Sequence, residues 1–179
     1  MFTRIAPFSR LAPFSRLAPF SRLAKSFALL LTALILAHSS PAHALTGYAS
    51  DGVVAVKSAY PMDETIRRIK EDIAGKKIMF FAQIDQAKLA ADAGIALRPS
   101  TLLIFGNPPL GTQFMTSNPL SGLDWPVRIL VFQDKDGAVW AAYTDFAWIA
   151  QRHGITDRQA QFKMAAMVVD SITASVKAP

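Results

Sequence analysis

An asparagine and two prolines end an apolar run in the stretch GNPPLGT, Gly106–Thr112. The Asn107 amide could hold a ligand at the end of a buried strand. Gly111 and Thr112 could add a hydroxyl and backbone N–H groups to an anion site near a helix N-terminus. The structural alternative, which we favour, is that these residue types only reverse the chain. A P-loop is excluded, because neither glycine is followed by Gly-Lys-Ser or Gly-Lys-Thr.

Three charged residues could act together with this corner. Arg98 could clamp a carboxylate ligand in a bidentate manner, or it could fix the loop by pairing with Asp85 or Asp124. The candidate ligand-binding set is therefore Arg98, Asn107, Thr112, Asp85 and Asp124. Catalytic residues are not identified by this pattern.

A metal or cofactor is not expected from the composition. The chain has no cysteine, and His153 is the sole histidine after residue 44. A single histidine rarely forms a metal site, and the sequence contains no G-x-S-x-G nucleophile motif. His153 follows a predicted helix, so we expect it to complement the negative end of the helix dipole.

Aromatic residues are concentrated in the second half of the chain. Trp140, Tyr143 and Phe114 could wall an apolar cavity between the sheet and the loop that follows the Asn-Pro corner. Membership of the hydrophobic core is the simpler explanation and the one we prefer.

The first 44 residues are typical of a secretory signal peptide. A basic hexad, APFSRL, is repeated three times over Ala6–Leu23, an apolar run covers Phe27–Ala37, and Ala42-His43-Ala44 has the A-x-A pattern of a cleavage site. We predict cleavage after Ala44 and a periplasmic or secreted protein with no membrane span after cleavage. The alternative is an uncleaved anchor.

The basic charge belongs to this N-terminal segment. The whole chain carries a formal charge of +6, and five of these charges come from the basic residues that precede residue 45. No aspartate or glutamate occurs before Asp51, so residues 45–179 carry +1. Nucleic-acid binding is therefore excluded as an expectation, because it needs a clustered surplus of Lys and Arg.

Periodicity predicts five strands and four helices in a single domain over residues 45–179. The Asp-Gly pair in DKDG favours a tight hairpin, so the fold class is α+β with a mainly antiparallel sheet and helices on one face. One helical turn is expected around 112–116 in the long 106–126 connection. The strand over 138–144 is predicted at a sheet edge, which suggests a homodimer. The expected strands are 53–58, 77–84, 101–105, 127–133 and 138–144, with helices over 64–74, 86–93, 145–153 and 156–176.

The segments FFAQIDQAKLAADAGIALRPSTLLIFGNPPLGTQFM, LDWPVRILVFQD, GAVWAAYTD and IAQRHGI resemble the DUF302 domain family across residues 51–176. The resemblance implies a small α+β domain of the TT1751-like type, grouped with TBP-like folds. It implies no reaction, since the family is named for unknown function. One position departs from the family: its usual Ile-Asp-His-Ala is Ile84-Asp85-Gln86-Ala87 here, so any role of that histidine is absent.

Together these features predict an exported, non-catalytic domain that binds a small ligand or another protein. The alternative is a hydrolase or isomerase that uses carboxylates around the 98–124 loop. For Asn107 we expect an architectural role first and a ligand contact second.

Overall fold

The structure is a computed structural model and describes residues 52–178; the predicted signal peptide and its cleavage site lie outside the described residues. Residues 45–179 form one compact unit. The strands are β1 (Val53–Lys57), β2 (Met79–Asp85), β3 (Ser100–Gly106), β4 (Val127–Gln133) and β5 (Val139–Thr144). The helices are α1 (Met62–Gly75), α2 (Gln86–Asp92), α3 (Pro108–Ser117), a 3-10 helix (Pro119–Leu123), α4 (Phe146–Arg152) and α5 (Gln159–Ala174).

The five strands form one antiparallel sheet in the order β1-β5-β4-β3-β2, which confirms the predicted α+β class. The position expected for the strand at 138–144 is wrong. This strand is β5, and it is hydrogen-bonded to β1 on one side and to β4 on the other. The exposed edges are β1 and β2, so the argument for a homodimer through 138–144 does not hold.

The core lies between one face of the sheet and the helices α1 and α5. Leu103 and Ile129 point from the sheet into it, and both are fully buried. On α1, Ile69 and Ile73 lie four residues apart and so share one helical face, which is the buried one. On α5, Val169 lies on the buried face of the helix. Each such side chain stabilises the fold by about 1.5–3 kcal/mol through burial.

A bulge in β2 changes the apolar face predicted for that strand. Phe80 pairs with Phe105, and Ala82 then pairs with Ile104, which leaves Phe81 between them without a paired position. Because one extra residue shifts the alternation of side chains, Phe80 and Ala82 face opposite sides of the sheet. The alternation of Ile78, Phe80, Ala82 and Ile84 in the sequence predicts that they share one face of the strand, and the bulge makes this prediction wrong.

The 106–126 connection is more regular than expected, because it contains both α3 and the 3-10 helix. Two helix starts also differ from the sequence prediction. The sequence predicts Asp63 as the cap of α1, but the cap residue is Pro61; it also predicts a capping box of Thr156 and Gln159 for α5, but that helix begins at Gln159 with Arg158 at its cap. Neither of these two helices has a side-chain hydrogen bond at its cap.

Candidate functional site

Asn107 begins α3 and uses its side chain to do so. The Asn107 Oδ1 atom accepts a hydrogen bond from the Leu110 N–H at 3.2 Å, and the Gly111 N–H donates to the Asn107 carbonyl at 2.9 Å. Pro108 and Pro109, which lie between Asn107 and Leu110, have no N–H. The first turn of α3 therefore has no spare donor for an anion.

Thr112 lies inside α3 rather than at its start. Its hydroxyl donates to the Pro108 carbonyl, which is the preceding turn of the same helix. The geometry thus gives Thr112 a local backbone contact and no place in the anion site that the sequence suggested.

Arg98 and Asp85 lie at the opposite end of β3 from Asn107. They flank the Ser100 end of β3, and seven residues of strand separate the two ends by about 20 Å. Asp85 accepts a hydrogen bond from the Lys88 N–H at 2.8 Å and so caps α2. Arg98 is exposed and forms no ion pair with any residue between 52 and 178. The structure therefore does not bring Arg98 and Asn107 into one site.

Asp124 pairs with residues other than Arg98. Its carboxylate lies 2.6 Å from the His153 Nε2 atom and 3.1 Å from an Arg152 nitrogen, with Arg128 at 3.5 Å. The side chains of Asp124 and His153 are only 6% and 5% exposed. His153 does end α4, as expected, but its ring binds this buried carboxylate.

A buried Asp–His pair is two thirds of a nucleophile triad. Among residues 52–178, no hydroxyl forms a hydrogen bond to the His153 ring. Ser121 is close in sequence to Asp124, yet its buried Oγ atom has no hydrogen-bond partner among the described residues. The pair therefore holds α4 against the segment before β4, and the geometry does not assemble a nucleophile.

A cavity of about 270 Å³ opens where the Asn107 end of the sheet meets α5. Among the described residues, Lys76 and Asn107 line it with polar side chains, and the Trp125 indole carries one N–H donor. The Asn107 amide NH2 group has no partner among the described residues, while Lys76 forms an ion pair with Asp72 one turn earlier. The apolar lining consists of Ile78, Phe105, Gly106, Leu110, Trp125, Val127, Phe146, Met164, Ala165, Val168 and Val169.

Two glycines let the Trp125 indole form a wall of this cavity. A Cβ atom on Gly111 would lie 1.8 Å from Trp125 Cε2, and one on Gly106 would lie 2.8 Å from Trp125 Cζ2. Phe114 packs against the indole edge-on, with ring centroids 6.3 Å apart, and stacks on Phe162 at 4.2 Å. The glycines therefore permit close packing, a role beyond the chain reversal expected from the sequence.

The three aromatic residues proposed from sequence as cavity walls do not meet. Trp140 donates from its indole nitrogen to Asp134 at 2.7 Å, and Tyr143 hydrogen-bonds to Asp170 on α5. Because they are three residues apart on one strand, Trp140 and Tyr143 face opposite sides of the sheet. Phe114 alone of the three contacts a cavity wall, so the alternative of a shared aromatic cavity was wrong, and the burial of all three agrees with the preferred interpretation as core residues.

Sequence reasoning missed most of the residues that line the cavity. Lys76, Leu110, Met164 and Val168 come from three different helical segments, and nothing in one sequence shows that they converge. The available signal was indirect: Met164 and Val168 lie within the segment that the sequence predicts as the last helix.

Neither a metal-ligand cluster nor a long apolar helix occurs in the part of the chain that the structure describes. No group of three or more His, Asp or Glu side chains in residues 52–178 could hold a metal ion. In the same range, no helix has the length and apolar character needed to cross a bilayer.

The family model for "Domain of unknown function DUF302" matches residues 54–172. The chain belongs to the DUF302 family. A crystal structure of an uncharacterized conserved DUF302 protein from Bacillus stearothermophilus superposes on 72% of this chain and 100% of its own, with a TM-score of 0.65 at 16% identity. That likeness shows the DUF302 fold.

Two curated proteins are similar to part of this chain, and both extend well beyond the region that matches it. They are named "Fluoride-specific ion channel FluC 1", one from Brucella suis biovar 1 (strain 1330) and one from Brucella abortus biovar 1 (strain 9-941). Each is 39% identical over 104 residues, which is 58% of this chain. The match spans only 41% and 38% of those proteins' own lengths.

Proposed function

We propose that this DUF302 protein is an exported, non-catalytic domain that binds a small amphipathic anion. The observation that supports this most strongly is the cavity at the Asn107 end of the sheet. Its walls are apolar, and its two polar side chains, Lys76 and Asn107, are both hydrogen-bond donors.

The composition of the cavity supports an amphipathic anion as the ligand. Apolar walls favour an apolar body, because burial removes that body from water. An ammonium group and a free amide NH2 at the same site favour an acceptor, and a carboxylate is the simplest anionic one. With a volume of about 270 Å³, the cavity suits a small ligand.

The arrangement of ionisable groups supports binding rather than catalysis. Within residues 52–178, Lys76 is the only ionisable residue that lines the cavity. His153 and Asp124 are buried against each other, and neither is among the lining residues. The hydrolase or isomerase alternative would need Asp124 and His153 to release each other before either could reach a substrate.

Octanoate, which has ten non-hydrogen atoms, is a suitable probe. We expect it to bind residues 45–179 with a dissociation constant on the order of 0.1 mM, as is reasonable for a ligand of this size. Octan-1-ol and octylamine should bind at least fivefold more weakly. Titrations followed by Trp125 fluorescence or by NMR would measure all three.

Lys76→Gln should weaken octanoate binding two- to fivefold, as expected for a solvent-accessible charge. Lys77→Gln is the matched control, since Lys77 is adjacent but does not line the cavity, and its octanoate affinity should not change. Equal binding of the alcohol and the carboxylate would contradict the anionic ligand. Absence of binding by all three probes would contradict the proposed function.

The export of the protein is also part of the proposal. It is supported by the basic repeat, the apolar run and the A-x-A pattern of residues 1–44. N-terminal sequencing of the protein from a periplasmic or culture fraction should begin at Leu45. Recovery of the intact Met1–Ala44 segment on membranes would contradict it.

A protein-interaction role in fluoride export is a second candidate. It is supported by the two Brucella relatives, in which a matching 104-residue region is part of a chain named as a fluoride-specific channel. Deleting that region from the Brucella suis protein should reduce fluoride efflux from cells, and co-expression of the full chain described here should restore part of it. Unchanged efflux after the deletion would count against this role.

A further inference from the structure

Exposed methionines occur at three places in the part of the chain that the structure describes. Met79 is 54% exposed, Met164 is 51% exposed and Met167 is 56% exposed. Of these three, Met164 alone lines the cavity at the Asn107 end of the sheet. It lies four residues before Val168, another lining residue, so the two share one face of α5. The Met164 side chain is therefore both part of the cavity wall and accessible from solvent.

A thioether in this position is open to oxidation by a peroxide. The sulfur lone pair forms an S–O bond, the O–O bond of hydrogen peroxide breaks, and the second oxygen leaves as water with both protons. Sulfur loses two electrons and the peroxide gains them, so methionine becomes methionine sulfoxide. The chain has no cysteine, and no thiol of its own competes for the oxidant.

The sulfoxide changes the polarity of the cavity wall. It replaces a flexible apolar side chain with a polar one, and its oxygen accepts hydrogen bonds. The described side chains that line the cavity offer donors: the Lys76 ammonium group, the Asn107 amide NH2 group and the Trp125 indole N–H. The Asn107 Oδ1 atom is already bonded to the Leu110 N–H. A new acceptor therefore competes with a ligand carboxylate for the same donors, and it removes apolar surface that the body of the ligand would contact.

We propose that Met164 is a modification site and that its oxidation to the sulfoxide releases the ligand from the cavity. The inference rests on the proposed function of this cavity and adds its regulation: the reduced protein binds the amphipathic anion, and the oxidised protein binds it more weakly. Because methionine sulfoxide is reduced by dedicated enzymes, the change is reversible.

The test compares octanoate binding by residues 45–179 before and after treatment with hydrogen peroxide, while peptide mass spectrometry locates the added oxygen atoms. Oxidation should weaken octanoate binding about fivefold, the order expected when one hydrogen bond of the ligand is lost to a competing acceptor. Treatment of the oxidised protein with methionine sulfoxide reductases should restore the affinity.

Met164→Leu and Met167→Leu are the matched variants, because both residues are exposed on α5 and, of the two, Met164 lines the cavity. Each variant is compared with itself before and after oxidation, so a difference in starting affinity does not affect the result. Met167→Leu should lose affinity on oxidation as the unsubstituted protein does, and Met164→Leu should keep the affinity that it had before treatment. Equal losses in both variants would overturn the inference, because another methionine would then be responsible.

Protection by the ligand gives an independent readout. Saturating octanoate should slow the oxidation of Met164 severalfold and leave the rate at Met167 unchanged. An unchanged rate at Met164 would overturn the inference, as would octanoate binding that oxidation leaves unchanged, and either result would leave the proposed function standing. Absence of octanoate binding by the unoxidised protein would instead overturn the proposed function and this inference with it.

Discussion

The helices α2 and α3 begin in the same way but are buried very differently. Each directly follows a strand, and each is capped by an acidic or amide side chain that accepts the N–H three residues later. In α2 the pair is Asp85 and Lys88; in α3 it is Asn107 and Leu110. Yet α2 buries no residue, whereas α3 buries Gly111 and Phe114.

The difference shows that a local motif starts a helix and that its surroundings decide what the helix does. α3 lies between Trp125 and α5, and the stacked Phe114–Phe162 pair joins it to the core. α2 packs against the end of β3, where Gln86 hydrogen-bonds to Ser100 at 2.7 Å. Of the two helices, α3 completes a cavity and α2 presents a surface.

The largest expected effect comes from removing the most buried side chain of α3. Phe114→Ala should lower the free energy of unfolding by about 3–5 kcal/mol, because it leaves a cavity between Trp125 and Phe162. Leu89→Ala on α2 should change it by less than about 0.5 kcal/mol. Urea unfolding of both variants would measure the difference. Similar losses would show that α2 is packed in solution and would contradict the comparison.

A smaller effect is expected from the two caps. Asn107→Ala should cost about 1 kcal/mol of global stability, as is usual for an N-cap, whereas Asn107→Asp should retain it. Asp85→Ala should lower the global stability less than Asn107→Ala does, because fraying of the unpacked helix α2 leaves the core intact. Its effect should appear instead as faster amide exchange within α2. A larger loss for Asp85→Ala than for Asn107→Ala would reverse the interpretation.

The smallest effect is a loss of stability that appears only at acid pH. It concerns Asp134, which lies at the end of β4 as Asp85 and Asn107 lie at the ends of β2 and β3. Its buried carboxylate accepts hydrogen bonds from the Trp140 indole and from the backbone N–H groups of Ala138 and Asp136. These bonds, the indole one above all, hold the pKa of Asp134 below its usual range. The native state therefore stays ionised at a pH where the unfolded chain takes up a proton.

Because the folded pKa is lowered, the stabilisation by Asp134 is present above the unfolded value of about 3.9 and is lost as the pH falls through the folded value. Asp134→Asn should give a flatter dependence of stability on pH between about 5 and 2. Urea midpoints at several pH values would test this. Parallel curves for the two proteins would show that Asp134 does not contribute to the acid dependence.

Much of the fold was predictable because its signals are local. The Asp-Gly pair indicated the β4–β5 hairpin, and the spacing of Ile69 and Ile73 indicated the buried face of α1. The bulge at Phe81 and the internal position of β5 were not predictable. Both depend on which strands become neighbours, and that is decided by packing between residues far apart in the chain.

In the candidate site, too, local features could be predicted from the sequence and contacts between distant residues could not. The sequence by itself indicated that the chain changes direction at Asn107, because the amide side chain and the two prolines act on adjacent backbone groups, but that Asn107 caps the helix α3 was seen only in the structure. It also determined the DUF302 fold and the +1 charge of residues 45–179. Only the tertiary structure decided that Arg98 lies at the far end of β3 and that Asp124 binds His153. Only the structure could place Lys76 at an apolar cavity, because that cavity exists where the sheet and α5 meet.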